Sequence, residues 1–585
     1  MKKKSVRAEE IKNTVLRRFA YSENWRRTWD DKWLRWYKQY RGVVPKLAKG
    51  EERSNLHIPY VYSTVDTTRS KLLAVAFSTR PYIGFVPKDA NDVDSAKNME
   101  KLVDFQLSRA DAETMLKFYK MLTDMLIYGA CPFEVGWRYE EKVQRKKVPR
   151  FELDGDLLMG YDIIEEAVAL WDDPDFQPFM IDDFYPDPDG TSIDDCAWVI
   201  RRRYLTEPEL RKLEAQGVYK INDYDAIRKD TEINTGRRER LAAIGATQQE
   251  ADSEERRIEL LEMWQDNEVV TLCNRTEIIR HEPNPFWHGK KPFGMVRFDP
   301  LNGEFYGISM VEVIEYLQAE LNTTRNQRID AVTVAINRMY SVLKSAGVEP
   351  ADLVSRANGI IWLDRHEDVR ELNPHPVDPA AFTEESIIKM DIQEATGTYA
   401  EMRGAQSPQR RTATENAIRE RAVMLRFEAK AQLFETLGLK RLGFFFDQLN
   451  QQFIDDARNI RHKATDGAFE WHAITPQEIS GSFEYIPAGT AFEPTLDSAG
   501  HRQNILILYD KFRDDPEIKS RELKKKVFEA FGMKDFEKLL KTDEEMQAAA
   551  AAAGQQAGMG VTPEGEAEAF DIEQMLAGMG GGQQP

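Results

Sequence analysis

The clearest potential for binding chemistry lies in the short stretch between residues 403 and 412. It carries Arg403, Arg410 and Arg411 and contains no acidic residue. Guanidinium groups bind phosphate and carboxylate oxygens well, so a bare basic segment is a candidate contact for an anionic partner. The glycine and the proline within the stretch predict a loop. An ordinary solvated turn is the alternative.

A second group of residues has types that could bind a metal ion. Asp187, Asp189 and Gly190 are typical of part of a calcium-binding loop. However, Tyr185 occupies the position that should open such a loop, and Pro188 interrupts it. The pattern therefore favours a turn that contains proline over a calcium site.

The histidines and cysteines do not form a metal-binding pattern. His281 and His288 lie seven residues apart around the segment EPNPFW, without a third convergent ligand. Cys131, Cys196 and Cys273 are far apart in the chain, as expected for ordinary thiols in a reducing compartment. We therefore predict no metal site.

Common catalytic motifs are missing from the sequence, which has no GxxxxGK(S/T), HExxH or GxSxG motif and no GxGxxG after a predicted strand. We predict a protein that is not an enzyme, with no catalytic residue and no cofactor. The acidic stretch from Asp172 to Asp189 leaves one alternative open, a metal-dependent nuclease.

The charge of the chain is unevenly distributed. The formal net charge is -19, but residues 1–49 hold 15 basic and 5 acidic residues, a net of +10, which leaves -29 for the remainder. Such an acidic body argues against general binding to phosphates. No stretch has the roughly 18 apolar residues of a membrane helix, and the basic start lacks the apolar core of a signal peptide, so we expect an intracellular protein without a membrane partner.

The elements that must position these residues are both helices and strands. A helix is predicted for residues 5–41, where four tryptophans and a tyrosine form one stripe (Trp25, Trp29, Trp33, Trp36, Tyr40). Burial of the stripe is favoured over stacking on nucleic acid. Further helices are predicted for residues 63–77 and 93–128, a strand for residues 131–140, and an antiparallel β-meander for residues 257–298.

A long helix is predicted from about residue 310 to Ile336, with Ser309 and Glu312 as its capping box. Its middle, residues 322–328, is polar on every side and includes Arg325 and Arg328, which predicts a strut that faces neighbours or solvent.

The segments RMYSVLKS and GIIWLDRHEDVREL predict strands of a small insert after the long helix. A second helix is predicted for residues 383–402. A third begins at Thr412 and reaches about Phe453, with bends at Gly438 and Gly443. Its predicted apolar face is listed here in chain order: Ile418, Ala422, Leu425, Ala429 and Leu433.

The order of these parts resembles the portal protein, or head–tail connector, of tailed bacteriophages over nearly the whole chain. The segments RSNLHIPYVYSTVDTTRSKL, LIYGACPFEVGW, DDFYPDPDG with CAWVIRRR, and YGISMVEVIEYLQAELNTTRNQRID carry the resemblance. It implies an α+β, portal-type subunit with wing, stem, clip and crown domains that assembles into a ring with a central channel.

The resemblance also implies a domain map. The wing would comprise residues 1–306 and the return strands 456–494; the stem, helices 307–336 and 381–402; the clip, residues 337–380; the tunnel loop, residues 403–412; the long tunnel helix, residues 413–455; the crown, residues 495–545; and a low-complexity tail, residues 546–585.

The function implied is that of a dodecameric ring at one capsid vertex of the virion, assembled in the host cytoplasm, through which double-stranded DNA passes without sequence specificity. Five tunnel-loop residues would face the DNA: Arg403, Gln406, Gln409, Arg410 and Arg411. Partners would be the terminase large subunit, coat and scaffold proteins, and tail adaptor proteins.

Clip residues Asp364, Arg365, Glu367 and Asp368 could contact the motor or tail, or form a solvated strand edge. A ring-shaped scaffold without DNA in its bore is the remaining alternative.

Overall fold

The computed structural model describes residues 2–45, 53–77, 80–109, 111–151, 158–221, 224, 235–246, 257–336, 339–344, 347–349, 353, 365–372, 379–399, 413–463, 469–487, 498–512 and 520–530. The chain divides into two compact units. One comprises Met1–His462 and Trp471–Pro494, and the other comprises Lys463–Glu470 and Thr495–Pro585. In the described part of the chain, none of the helices is long and apolar enough to span a membrane.

The amino-terminal part of the first unit is helical. Helix α1 spans Lys2–Tyr40 and α2 spans Tyr60–Ala76, close to the predicted bounds. The helical stretch predicted for residues 93–128 is confirmed, and it consists of two helices, α3 (Val93–Arg109) and α4 (Asp111–Tyr128).

The aromatic stripe of α1 is buried, as predicted. Trp33 and Trp36 have no exposed surface, and Trp33 meets the ring of Tyr306 edge-on at 5.0 Å between centroids. Trp25 stacks on the same tyrosine at 5.7 Å. Aromatic pairs of this kind add to the free energy of apolar burial. The stripe therefore fixes α1 to the body of the unit and is not available to stack on nucleic acid.

A long β-ribbon follows these helices. Strand β2 (Ala130–Phe151) pairs antiparallel with β3 (Leu158–Pro178), and β9 (Phe293–Arg297) pairs with the first part of β2. A strand was predicted only for residues 131–140, so the prediction stopped too early. It missed the strand's second half because the side chains there are charged rather than alternately apolar.

A five-stranded antiparallel sheet in strand order β4-β5-β6-β7-β8 contains the predicted meander. Its strands are β4 (Phe184–Pro186), β5 (Val199–Leu205), β6 (Ile258–Trp264), β7 (Glu268–Cys273) and β8 (Glu277–Pro283). Two short helices lie between β5 and β6 in the sequence, α5 (Glu207–Ala215) and α6 (Thr235–Ala243). The meander is confirmed, and β4 and β5 extend it.

The long helix α7 spans Met310–Ile336, as predicted. It is followed by β10 (Met339–Val342), which pairs antiparallel with β11 (Val369–Leu372). Helix α8 spans Ala380–Thr396 and ends at Gly397, which has a φ of 71°. The second helix therefore ends earlier than the predicted residue 402, because glycine readily adopts the left-handed conformation that terminates a helix.

The third long helix consists of α9 (Ala413–Phe434), a π-helical turn (Glu435–Leu439) and α10 (Lys440–Phe453). The predicted bend at Gly438 coincides with the π turn. Gly443, in contrast, lies inside α10, where an added Cβ would come within 2.9 Å of Ile83. Gly443 therefore permits close packing against Ile83.

The apolar face predicted for this helix is wrong at two of the three positions whose burial is described, while the third, Leu433, is half-buried. Leu425 is 56% exposed and Ala429 is also exposed. The buried side chains are Met424, Phe427, Ala431 and Phe434. Both sets have helical spacing, so the sequence alone could not decide between them. Ile418 and Ala422 lie in the part of the helix whose side chains are not described.

The remaining strands of the first unit are β1 (Ile83–Pro87), which pairs antiparallel with β14 (Phe483–Pro487), and, near the boundary between the units, β12 (Arg458–Lys463) and β13 (Phe469–Ile474). In the second unit, α11 (Ser498–Phe512) packs on α12 (Ser520–Ala530). Both helices lie within residues 495–545, the stretch that the resemblance assigns to a crown. The tail, residues 546–585, falls outside the described residues.

Candidate functional site

The predicted tunnel loop and one clip residue cannot be placed. Arg403, Gln406, Gln409, Arg410, Arg411 and Asp364 all lie outside the described residues. The candidate site that can be built from the structure is therefore the pair of helices α7 and α8, which flank the insert, together with the segments that hold them.

The first half of α7 is attached to α1. Lys32 Nζ lies 3.2 Å from a carboxylate oxygen of Glu312, and Arg35 Nε lies 3.1 Å from Glu315. Trp36 Nε1 donates to the other carboxylate oxygen of Glu315 at 3.0 Å. These contacts join a basic, aromatic face of α1 to an acidic face of α7.

Only one half of the predicted capping box forms at the start of α7. Ser309 Oγ accepts hydrogen bonds from the backbone N–H groups of Val311 (3.0 Å) and Glu312 (3.4 Å). The Glu312 side chain pairs with Lys32 instead of turning back to the cap. Ser309 also donates to the carbonyl oxygen of Ile127 at 2.6 Å, so the cap ties α7 to the end of α4.

The middle of α7 binds the main chain that leads into α2 and its first turn. Side chains spaced four residues apart along α7 accept hydrogen bonds from backbone N–H groups of residues 54–61. The pairs are Ser54 N with Asp330 Oδ1 (2.7 Å), Leu56 N with Asn326 Oδ1 (2.8 Å), Ile58 N with Asn322 Oδ1 (3.0 Å) and Val61 N with Gln318 Oε1 (3.1 Å). We call this set the polar ladder.

The spacing of the polar ladder has a simple geometric reason. Four residues of an α-helix rise about 6 Å, and two residues of a nearly extended chain span about 6.6 to 7 Å. A helix position every four residues can therefore meet every second backbone N–H from Ser54 to Ile58, and the last contact, at Val61, comes three residues later in the first turn of α2. Two ladder side chains also donate in return, Gln318 Nε2 to Ile58 O at 2.9 Å and Asn326 Nδ2 to Leu56 O at 3.1 Å.

The two arginines of the polar middle, Arg325 and Arg328, face α8. Both pair with Glu385, whose side chain is only 6% exposed. Arg328 Nη1 lies 2.8 Å from one carboxylate oxygen, while Arg325 and Lys389 (2.7 Å) reach the other. One buried carboxylate thus holds three cations between α7 and α8.

The expectation that this polar middle faces neighbours or solvent is therefore wrong for most of its side chains. Within one chain, Asn322 and Asn326 bind the segment before α2, and Arg325 and Arg328 bind α8.

The described clip residues lie at the surface. Arg365 and Glu367 are exposed, and Asp368 is half-buried. Asp368 N donates to Arg365 O at 3.1 Å, and Leu343 N donates to Asp368 O at 3.0 Å. This short turn leads directly into β11, so Arg365 and Glu367 are accessible while Asp368 helps to fix the turn.

The other candidate residues have structural partners. Asp187 begins a turn closed by Gly190 N and accepts from Ala197 N at 3.2 Å, as expected for a turn with proline. The ring of His288 stacks on that of Phe286 at 5.2 Å. Burial, together with the positive charges of Arg441 and Lys290, lowers the pKa of His288 to about 4.

A metal site is not found where the structure describes the chain: no three His, Cys, Asp or Glu side chains are grouped to hold an ion. His281 Nε2 lies 3.2 Å from Glu268. All three cysteines are buried and free, which agrees with the prediction of ordinary thiols.

Comparison with known proteins identifies the family. The family model of the phage SU10 portal protein matches residues 11–560. This chain belongs to that family. A search of the curated proteins found no match to the chain. Portal proteins are structural proteins of phage virions.

Sequence reasoning missed the partners of α7 and α8 in this portal family member. Glu385 carries no local signal, because an acidic residue on a polar helix is usually solvated. The polar ladder did leave a trace, since Gln318, Asn322, Asn326 and Asp330 recur at intervals of four. A polar stripe at that interval, here three amides and one carboxylate, is an indication of side chains that bind the main chain of another segment.

Replacing Glu385 by Gln is expected to lower the free energy of unfolding by about 1 to 3 kcal/mol, because three cations lose a mostly buried counter-ion although the cations are partly solvated. Chemical denaturation at pH 7 would measure this loss. Glu384→Gln is the matched control because Glu384 is an exposed neighbour on the same helix. Equal loss in the two variants would contradict the prediction.

The effect of Glu385→Gln should also depend on pH. Burial raises the pKa of Glu385, but hydrogen bonds from Lys389 and Arg325 outweigh it, so that pKa lies below its ordinary value. A carboxyl group whose pKa is lower in the folded state stabilises the fold at pH values above its unfolded-state pKa of about 4.3. This stabilisation is lost as the pH falls through the folded-state pKa. The difference between wild type and variant should therefore shrink below about pH 4.

Proposed function

We propose that this protein forms the portal ring at one capsid vertex of a tailed phage and conducts double-stranded DNA during packaging and ejection. The observation that carries the proposal is the match of the portal family model to residues 11–560. The ring would have twelve copies, would lie in the virion, and would assemble in the host cytoplasm.

The charge distribution supports a conduit rather than a DNA-binding surface. The tunnel loop is basic within a chain of net charge -19, so a ring would repeat Arg403, Arg410 and Arg411 around its axis while the acidic body repels DNA elsewhere. Each neutralised phosphate adds salt-dependent affinity, so contacts must be few if DNA is to slide. Gln406 and Gln409 would add uncharged hydrogen bonds to phosphates without reading sequence.

The outer faces of the stem helices support contact with neighbouring copies. On α7, Tyr316 is 82% exposed and Val313 is also exposed; on α8, Phe382 and Met390 are exposed. Large apolar side chains on an open helix face are typical of interaction surfaces. The polar ladder and Glu385 would hold each pair of stem helices to its own wing while these faces meet the next copy.

The clip would dock the terminase large subunit during packaging and tail adaptor proteins afterwards. Arg365 and Glu367 are exposed on the turn before β11, in reach of a partner, with Asp364 and Asp368 beside them in the sequence. Coat and scaffold proteins would contact the wing. The energy for packaging would come from the terminase, since the sequence carries no nucleotide-binding motif.

The test begins with the mass and rotational symmetry of the purified protein, by native mass spectrometry and negative-stain class averages. We expect a closed ring with a central hole wide enough for duplex DNA. A stable oligomer without a hole would contradict the proposal.

The same preparation distinguishes a conduit from a scaffold. Replacing Arg403, Arg410 and Arg411 by Gln should leave the ring intact and reduce the DNA packaged per capsid at least about tenfold, if the loop contacts the phosphates. The matched control replaces Arg7, Arg17 and Arg27, which are exposed on α1. Normal packaging with intact rings would favour the scaffold, and cleavage of plasmid DNA with Mg²⁺ or Mn²⁺ would favour a nuclease.

A further inference from the structure

The outer part of the β2–β3 ribbon lies beyond the rest of its sheet. Strand β9 pairs only with residues 130–134 of β2, whereas β2 and β3 remain paired to Phe151 and Leu158. From residue 141 outward, each of the two strands therefore has one neighbour among the described strands. The ribbon presents two open backbone edges, one on β2 and one on β3.

The side chains of this outer ribbon are not buried by the described parts of the chain. On β2, every residue from Glu141 to Lys147 is exposed, including Val143 at 58%. On β3, Tyr161, Ile163 (65%) and Ile164 are exposed as well. An isolated two-stranded ribbon is marginally stable in water, so exposed apolar residues on both faces indicate that another surface covers it.

The two strands carry opposite charge. The outer part of β2 has the basic residues Lys142, Arg145, Lys146, Lys147 and Arg150, and the outer part of β3 has Asp162, Glu165 and Glu166. Arg145 pairs with Glu165 across the ribbon at 2.9 Å. Lys142, Lys146 and Lys147 have no ion-pair partner among the described residues, so their charge is available to another molecule.

We propose that the ribbons of adjacent copies of this chain lie side by side, with the basic β2 edge of one copy against the acidic β3 edge of the next. Because the two edges differ, such a contact is head-to-tail, and a closed assembly built from it is a ring. The inference deepens the proposed portal function and rests on it only in requiring that copies of the chain associate.

The strand directions suit this arrangement. Strands β2 and β3 run antiparallel within one copy. Copies related by rotation keep the same order, so β3 of one copy and β2 of the next are also antiparallel, which is the pairing that adjacent strands form most often. Lysines on an open strand edge can have a different role, which is to prevent that edge from pairing with another strand. That role does not account for the acidic residues and exposed isoleucines of β3, the other strand of the ribbon.

Charge reversal tests the contact. One variant replaces Lys142, Lys146 and Lys147 by Glu, and a second replaces Glu165 and Glu166 by Lys. Each alone should lower the ring population at least tenfold in native mass spectra, because like charges then meet between copies. Mixing the two variants should restore rings in which they alternate. A control with Lys97, Lys120 and Lys212 changed to Glu, all exposed on helices, should assemble as wild type. Normal assembly of either ribbon variant, or no recovery on mixing, would overturn the inference.

Cross-linking separates this inference from the ring itself. Copies with Lys146→Cys are mixed with differently tagged copies carrying Glu166→Cys, since the native cysteines are buried, and are treated with a short bis-maleimide. Cross-links between the two tags without closed rings would support the ribbon contact and contradict the portal ring. Closed rings without such cross-links would keep the ring and overturn the ribbon contact.

Discussion

Replacing Asn322 and Asn326 together by Ala is expected to release the segment before α2 from α7 and to lower the free energy of unfolding by about 1 to 3 kcal/mol. Each change removes the acceptor of a backbone N–H, that of Ile58 or that of Leu56. The partly buried N–H of Ile58 accounts for most of this cost, because water can take the place of Asn326 at the exposed N–H of Leu56. Hydrogen exchange at residues 54–61 should become faster, and mass spectrometry of peptides would detect it.

The control for the polar ladder lies on the same helix. Thr323→Ala with Gln327→Ala alters two exposed positions of α7, each one residue after a ladder asparagine. Helix propensity rises slightly in both double variants, so only the loss of the ladder distinguishes them. If hydrogen exchange at residues 54–61 is unchanged in the ladder variant as well as in the control, the polar ladder does not hold that segment to α7.

The loss of the ladder should also affect assembly in a defined way. The ladder contacts join residues 257 to 276 positions apart in the sequence, so they connect α7 to the chain that leads into α2. In the proposed ring, the double variant should therefore keep the copy number but lose thermal stability, because the exposed faces proposed to meet between copies are unchanged while each subunit is weakened. A changed copy number in native mass spectra would contradict this expectation.

Replacing Arg26 by Leu is expected to cost about 3 to 5 kcal/mol, the range found when one member of a buried charge network is removed. The Arg26 side chain is 1% exposed and donates to Asp30 at 2.8 Å, to the carbonyl oxygen of Asp182 at 3.2 Å and to that of Phe184. Its guanidinium also lies 4.2 Å from the centre of the Tyr185 ring. Leucine can replace the packing but none of these hydrogen bonds.

Two further variants make the Arg26 prediction specific. Arg27→Leu removes an exposed arginine one residue further along α1 and should change stability by less than about 0.5 kcal/mol. Arg26→Lys should fall between the two, because lysine keeps the charge but lacks the planar fork that reaches two carbonyls and a carboxylate at once. Thermal unfolding and chemical denaturation would rank the three, and equal effects of Arg26→Leu and Arg27→Leu would refute the prediction.

Local patterns in the sequence predicted most of the elements correctly. The tryptophan stripe of α1, the β-meander, the length of α7 and the serine at its start all depend on periodicity or on a cap within one turn. The resemblance to portal proteins likewise rests on the order of such elements, and the portal family model matches the chain over residues 11–560.

Predictions failed where the fold, rather than the local pattern, selects between similar alternatives. Leu425 and Phe427 are both apolar residues of the helix α9, yet only Phe427 is buried, because the neighbouring elements determine which face is covered. The ribbon beyond Glu140 was missed for a related reason. Its residues face no core, so the strand lacks the alternation of apolar and polar side chains that marks a half-buried strand.

Most of the elements, their order and the family of this protein follow from local patterns, because periodicity, capping and turn residues act over a few neighbouring positions. Long-range packing, in contrast, is what brings Asn322 and Asn326 to the main chain near Ile58, Glu385 to Arg325 and Arg328, and Arg26 into the interior. Polar side chains have similar intrinsic preferences whether solvated or paired. Their partners lie in segments that are distant in the chain. The packing of the whole unit determines which of these segments come into contact.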